Sequence, residues 1–146
     1  MHHPIDAAAA RSVVRLRVRF CETDLMGIVH HGSYPAYLEA ARVEWLRRRG
    51  VAFADWAGQG HHLAVVELQI RYRAPARFDD ELDIETNLTE VKAATVRFGY
   101  RVVRPSDGVL VLEGSTLIAL VDDRGVPRRV SPEVREVLGR AETLPA

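Results

Sequence analysis

The sequence predicts an α+β domain: one antiparallel five-stranded sheet wrapped around one long central helix. Three observations predict it. A single long segment repeats its apolar residues at three- and four-residue steps. One segment ahead of it and three behind it alternate apolar and polar residues instead, and a last long run is apolar on both faces. No internal repeat, low-complexity linker or composition break divides the 146 residues, which is the size of one ordinary domain. With 47% hydrophobic residues the chain can bury roughly two-thirds of its unfolded surface, so it needs no metal or disulfide to fold.

The elements follow in order. Residues 1–11 read as a short loose leader and residues 12–146 as the single domain. In residues 13–21, Val14, Leu16, Val18 and Phe20 alternate with Arg15, Arg17 and Arg19, the period of a half-buried strand. A turn-like segment with Gly27 and Gly32 follows. Ser33 is a plausible helix N-cap, and Pro35 sits in the first turn, where its missing N–H costs little. Tyr34, Tyr37, Leu38, Ala41, Trp45 and Leu46 then mark one helical face. Arg47, Arg48 and Arg49 suit the negative end of the helix dipole and read as a solvated end, and Gly50 supplies the stop. Residues 53–62 read as a linker.

The remainder reads as strand. Val66, Leu68, Ile70 and Tyr72 alternate with polar residues, as do Leu82, Ile84, Thr86 and Leu88, and then Val96, Phe98, Tyr100 and Val102. Residues 105–108 (Pro-Ser-Asp-Gly) are a turn. Residues 109–121 are apolar on both faces, as expected of a central strand, and residues 132–140 form a weak closing helix. One helix cannot cover both faces of five long strands, so a second copy of the chain is the simplest cover for what is left.

Composition narrows the partners. Twenty basic residues balance twenty acidic ones, without the basic excess of a nucleic-acid binder. No apolar run approaches the roughly 18 residues that cross a bilayer, and the N-terminus lacks a signal pattern. The single cysteine, Cys21, excludes an internal disulfide and reads as a buried or strand-end thiol. These features make the cytoplasm the expected compartment. His2 with His3, and His61 with His62, are adjacent pairs. Neighbours on an extended chain point to opposite faces, so no metal site is expected.

The chemistry concentrates in residues 19–46. A carboxylate, two histidines and two glycines lie between a strand end and a helix N-terminus. Such an N-terminus offers unpaired N–H groups and partial positive charge to a developing oxyanion, and a nearby carboxylate can attack a carbonyl or activate water. That combination suits acyl transfer to water. Asp24 also fits a plain turn or cap residue. Glu39 with Arg42, and Glu44 with Arg47 or Arg48, have the spacing of helical ion pairs.

Thr23, Asp24, Gly27, Val29, His30, His31, Tyr34, Glu39, Arg42, Glu44 and Leu46 keep the spacing T-D-x-x-G-x-V-H-H-x-x-Y, then E-x-x-R-x-E-x-L. This pattern resembles the 4-hydroxybenzoyl-CoA thioesterase family of HotDog proteins, particularly the bacterial acyl-CoA thioesterases linked to the Tol-Pal envelope system. The likeness continues through residues 70–82 and 114–130, and spans roughly residues 12–130.

The resemblance implies hydrolysis of an acyl-CoA thioester. Asp24 would be nucleophile or general base, His31 an assisting group and the N–H near His31 the carbonyl polariser. Gly27, His30, Tyr34 and Glu67 would shape the substrate site, and Arg71, Arg73 and Arg77 would meet the CoA phosphates. Coenzyme A would be part of the substrate, with no separate cofactor. The site would lie between protomers of a homodimer or a dimer of dimers, with residues 65–69 of a second copy along it. Two departures stand out. Phe20 occupies a position where some relatives carry tyrosine, and His30 one that is often tyrosine. Other readings are a thioesterase acting on an acyl carrier protein, or a non-catalytic acyl-CoA binding module. HotDog dehydratases need a His with a Glu or Asp in other motifs, which this sequence lacks.

Overall fold

The computed structural model describes residues 4–143. Its elements are β1 (Arg11–Arg17), α1 (Tyr34–Arg47), α2 (Phe53–Gly58), β2 (His62–Tyr72), β3 (Glu81–Val91), β4 (Thr95–Arg104), β5 (Val109–Val121) and α3 (Pro132–Leu138). The five strands form one sheet in the order β1-β3-β4-β5-β2, every neighbour antiparallel. This is the predicted α+β HotDog architecture. Strand β5, apolar on both faces, lies inside the sheet.

The period-two pattern decides which face meets the helix. Leu82, Ile84, Thr86 and Leu88 of β3 are buried, as are Val96, Phe98, Tyr100 and Val102 of β4. They pack toward Leu38, Ala41 and Trp45 of α1, with the Trp45 and Phe98 rings edge to face at 5.1 Å. The opposite face carries the alternate residues, tied across strands by Arg11–Glu85 at 3.0 Å and Arg15–Asp83 at 2.7 Å. Strand β2 is an edge. Its Val65, Val66, Leu68 and Tyr72 remain exposed although they are apolar, because α1 packs over β3 and β1 and does not reach across to β2.

Several expectations are corrected. Strand β1 stops at Arg17, and the chain turns through a short 3-10 segment, Phe20–Glu22, because the Glu22 carboxylate accepts the Arg19 N–H at 2.7 Å. Cys21 therefore points outward as an exposed thiol, and Phe20 is exposed as well. The expected linker holds α2, anchored by buried Trp56, and β2 begins at His62. His62 pairs with Asp123 at 2.6 Å, while His2 and His3 lie outside the described residues. Among the described residues no group of three metal-ligating side chains converges. The leader is not loose throughout: the Ala8 N–H bonds the Asp6 carboxylate, and Ala10 is buried with its carbonyl accepting Trp45 Nε1–H at 2.9 Å.

Two arginines of α1 and its end behave unlike solvated or paired surface groups. Arg49 is 1% exposed, stacks 3.6 Å above the Trp45 ring and donates to the carbonyls of Ala9, Arg11, Trp45 and Arg140 and to Ser12 Oγ. Burial pulls its pKa down to about 10. Arg42 is also buried and bonds the Tyr100 hydroxyl, not Glu39. The Glu44 pairs with Arg47 and Arg48 do form.

Candidate active site

The site is built on the loop between β1 and α1. The Asp24 N–H bonds the Ile28 carbonyl and the Gly27 N–H bonds the Asp24 carbonyl, both at 2.9 Å, closing a tight turn. Gly27 sits at φ +76°, a left-handed conformation that costs any other residue energy. The turn is pinned to the β2–β3 connection by the Val29 N–H on the Ala76 carbonyl at 2.8 Å. One Asp24 oxygen, Oδ1, accepts the Met26 N–H at 2.8 Å. Among the described residues the other oxygen has no partner, so it is available to a ligand.

Glu22 ties this loop to α1. Its carbonyl accepts the His30 N–H at 2.8 Å and the Ser33 hydroxyl at 3.1 Å. Its carboxylate accepts the Arg19 N–H, the Arg19 guanidinium and the Tyr37 hydroxyl at 2.7, 3.2 and 2.8 Å. Burial pushes the Glu22 carboxyl up, but these donors outweigh it and hold it below the usual carboxylate range. Ser33 does stand at the N-cap position of α1, but its hydroxyl bonds the Glu22 carbonyl and makes no capping bond. The turn entering α1, His31–Ser33, is capped by His30, whose Nδ1 accepts the Gly32 N–H at 2.9 Å. That bond assigns the neutral His30 proton to Nε2.

The rings of His30 and His31 stack at 4.2 Å. The Tyr72 hydroxyl donates to the His31 carbonyl at 3.0 Å. Among the described residues the His31 N–H finds no acceptor, at a position where the helix dipole adds positive potential. Asp24, Met26, Ile28, His31, Tyr34 and Tyr72 line one cleft of about 470 Å³. Tyr34 is 3% exposed. Burial, reinforced by Tyr72, pushes its hydroxyl up to about 12, so it stays a proton donor.

Asp24, His31, Tyr34 and Arg73 thus share the cleft. Gly27 shapes its loop, and His30 stacks behind His31. Arg77 pairs with Ile28 beside the same loop, whereas Arg73 is held by Glu113 at 2.5 Å. Two of the expected residues stand outside this cleft within a single chain. Glu67 lies on the exposed β2 edge, bonded by Gln69 at 2.8 Å. Arg71 lies opposite Glu113 and lines a larger depression of about 650 Å³ with Gly99 and Ser115 on the outer face of the sheet. Glu22, Tyr37 and Tyr72 belong to the site without having been expected there. Only the alternation that puts Tyr72 on the inward row of β2 could have signalled one of them.

A five-stranded sheet around one helix, with a carboxylate beside that helix's N-terminus, defines a HotDog domain equipped to cleave an acyl bond. The chain belongs to the thioesterase-like superfamily, which matches residues 18–140. It is 33% identical over 128 residues to the acyl-CoA thioester hydrolase YbgC of Escherichia coli O6:H1, covering 83% of this chain and 93% of that protein. Among solved structures, a hypothetical protein from Thermus thermophilus is 41% identical with a TM-score of 0.81, covering 87% of this chain and 96% of that one. A DHNA-CoA thioesterase from Staphylococcus aureus is 25% identical with a TM-score of 0.83, covering 87% of each chain.

Proposed function

We propose that this chain hydrolyses acyl-CoA thioesters to a free acid and the thiol of coenzyme A. The observation that carries this reading is the unpartnered Asp24 oxygen in one cleft with His31, whose N–H has no acceptor. That N–H, at the positive end of α1, receives the thioester carbonyl oxygen and stabilises the charge that grows on it. Asp24 acts in one of two ways. As a nucleophile it bonds to the carbonyl carbon, the C–S bond breaks, and water then cleaves the resulting anhydride. As a general base it takes a proton from water while that water attacks. In both routes the sulfur leaves as thiolate and picks up a proton, and the His31 ring is placed to assist. Neither route uses a separate cofactor.

Arg77 is the basic residue best placed for a CoA phosphate, since among the described residues it forms no ion pair and lies beside the Gly27 loop. The exposed apolar row of β2 supports a homodimer formed along that edge. A second copy would bring its residues 65–69 to the cleft. A second reading, a carrier-protein thioester as substrate, draws on the exposed Phe20, Leu25, Met26 and Phe78 around the same loop, a surface suited to meeting another protein.

The test is thiol release from short, long and aromatic acyl-CoAs and from an acylated carrier protein. Release from the CoA esters is expected. Release from the carrier alone would move the assignment to the second reading, and no release from any would refute both.

A further inference from the structure

Residues 30–33 lead into α1, and their backbone N–H groups are committed with one exception. The His30 N–H bonds the Glu22 carbonyl at 2.8 Å, the Ser33 N–H bonds the His30 carbonyl at 2.9 Å, and the Gly32 N–H bonds His30 Nδ1 at 2.9 Å. Among the described residues the His31 N–H alone finds no acceptor. Its direction is therefore set by ties on the groups around it. Two of these act within three residues, and the third comes from Glu22 of the same loop.

The His31 carbonyl is held differently. In an α-helix a carbonyl accepts the N–H four residues further on. Four residues after His31 stands Pro35, which has no N–H to give, so the α-helical donor for this carbonyl does not exist. Another element supplies a donor: the Tyr72 hydroxyl, at the end of β2, reaches the carbonyl at 3.0 Å. The Tyr72 ring stands edge to face with the His31 ring at 6.5 Å and tilted against the buried Tyr34 ring at 5.8 Å, which aims the hydroxyl. Helix α1 packs over β3 and β1, and this bond ties its start to the edge strand. The bridge crosses the cleft that Asp24, His31, Tyr34 and Tyr72 line.

We infer that Tyr72 is a positioning residue for hydrolysis: its hydroxyl, acting through the His31 carbonyl, aims the His31 N–H at the thioester oxygen. The inference rests on the thioesterase reading and adds a residue of β2 to its machinery. The peptide that follows His31 is anchored at its carbonyl by Tyr72 and at its N–H by the His30 ring. The peptide before it is anchored at the His30 carbonyl by Ser33. Together these hold the plane that carries the free N–H. Removing the hydroxyl releases the one tie that comes from the sheet and leaves the local ones. The donor must point where the oxygen sits in the transition state, and a misplacement of about 1 Å there can cost about 10²-fold in rate.

The experiment measures kcat and KM of wild type, Tyr72→Phe, Pro35→Ala and the double variant with the acyl-CoA turned over fastest in the thiol-release panel. Tyr72 is half exposed and phenylalanine keeps its ring, so the variant should fold. Tyr72→Phe should lower kcat by about 10- to 100-fold with KM within about threefold, because the tie matters in the transition state and not for binding. Pro35→Ala gives the His31 carbonyl the N–H it lacks. In that background Tyr72→Phe should cost less than about threefold, a coupling that a hydroxyl acting on the substrate itself would not show. A Tyr72→Phe kcat within about threefold of wild type overturns the inference. So does a raised KM with unchanged kcat, which makes Tyr72 a substrate contact, and so does an equal loss in both backgrounds. No turnover of any panel ester by wild type refutes instead the thioesterase reading beneath it, and this inference with it.

Discussion

Replacing Glu22 with alanine should loosen the loop that carries Asp24 and destabilise the domain by an amount that can be worked from its bonds. Three donors lose their acceptor. The Arg19 groups are exposed and turn to water, so they cost little. The Tyr37 hydroxyl is different: Tyr37 is 4% exposed, and stranding a buried donor costs about 1–3 kcal/mol. Adding the lost N–H bond that shapes the 3-10 turn, Glu22→Ala should cost about 2–3 kcal/mol, or about 5–10 °C in Tm for a domain of this size. Tyr37→Phe removes the donor and leaves the carboxylate with Arg19, for about 1 kcal/mol. Once Tyr37 is Phe, nothing buried is stranded, so the double variant should fall short of the summed single losses by about 1 kcal/mol. Urea unfolding of the four proteins measures this directly. Strict additivity, or a Glu22→Ala loss under about 0.5 kcal/mol, would refute the reasoning. The pH dependence has a defined sign. The folded-state Glu22 pKa lies below its ordinary 4.5, so its stabilisation is complete above 4.5 and disappears as pH falls through the folded value. The gap between wild type and Glu22→Gln should narrow in that acid window.

Three further predictions follow from named contacts. Gly27→Ala has room for its Cβ, with Arg77 Nη1 3.7 Å away, so its cost is the left-handed backbone alone, about 1 kcal/mol; because that turn aims Asp24, kcat should fall well beyond what the lost stability explains, and a Tm loss with unchanged kcat would contradict this. Arg49→Met removes a guanidinium donating to four backbone carbonyls and Ser12 and should cost roughly 3 kcal/mol in urea unfolding; a loss under about 1 kcal/mol would mean the buried network contributes little net stability. Leu68→Glu places a charge on the exposed apolar row of β2 and should shift a dimer to monomer by light scattering at micromolar concentration; a wild-type monomer would remove the edge-to-edge assembly altogether.

The strands β3 and β4 and the helix α1 were legible because burial on one face leaves a period of two or 3.6 in the residues themselves, and β5 because a central strand is apolar on both faces. Helix α2 was not, since FADWAG has no repeat long enough to show a period and is held by Trp56 packing on the core. The end of β1 was hidden for a related reason. The alternation runs on through Phe20, yet a capping bond from Glu22 turns the chain out of the sheet. Asp24, His31 and Tyr34 were readable as one cluster because they sit within a few residues of a helix start. Glu22 gave no sign, because its role depends on Arg19 before it and Tyr37 a full helical turn into α1. Arg42 and Arg49 were misread for the same reason: the sequence shows a charge, not the hydroxyl or the carbonyls brought to it from distant segments. Arg71 and Glu67 sit on the strand expected to carry them, but only three-dimensional pairing shows that Arg71 turns to Glu113 on the outer face.

The central claim, that the Asp24 carboxylate drives thioester hydrolysis, is tested most directly by thiol release from one good acyl-CoA substrate with wild type and Asp24→Asn side by side. The isosteric amide can still accept the Met26 N–H, so Tm should stay close to wild type. It can neither attack the carbonyl nor take a proton from water, so kcat should fall by about 10²–10⁴-fold. A folded Asp24→Asn protein that keeps its turnover within about threefold would contradict the account.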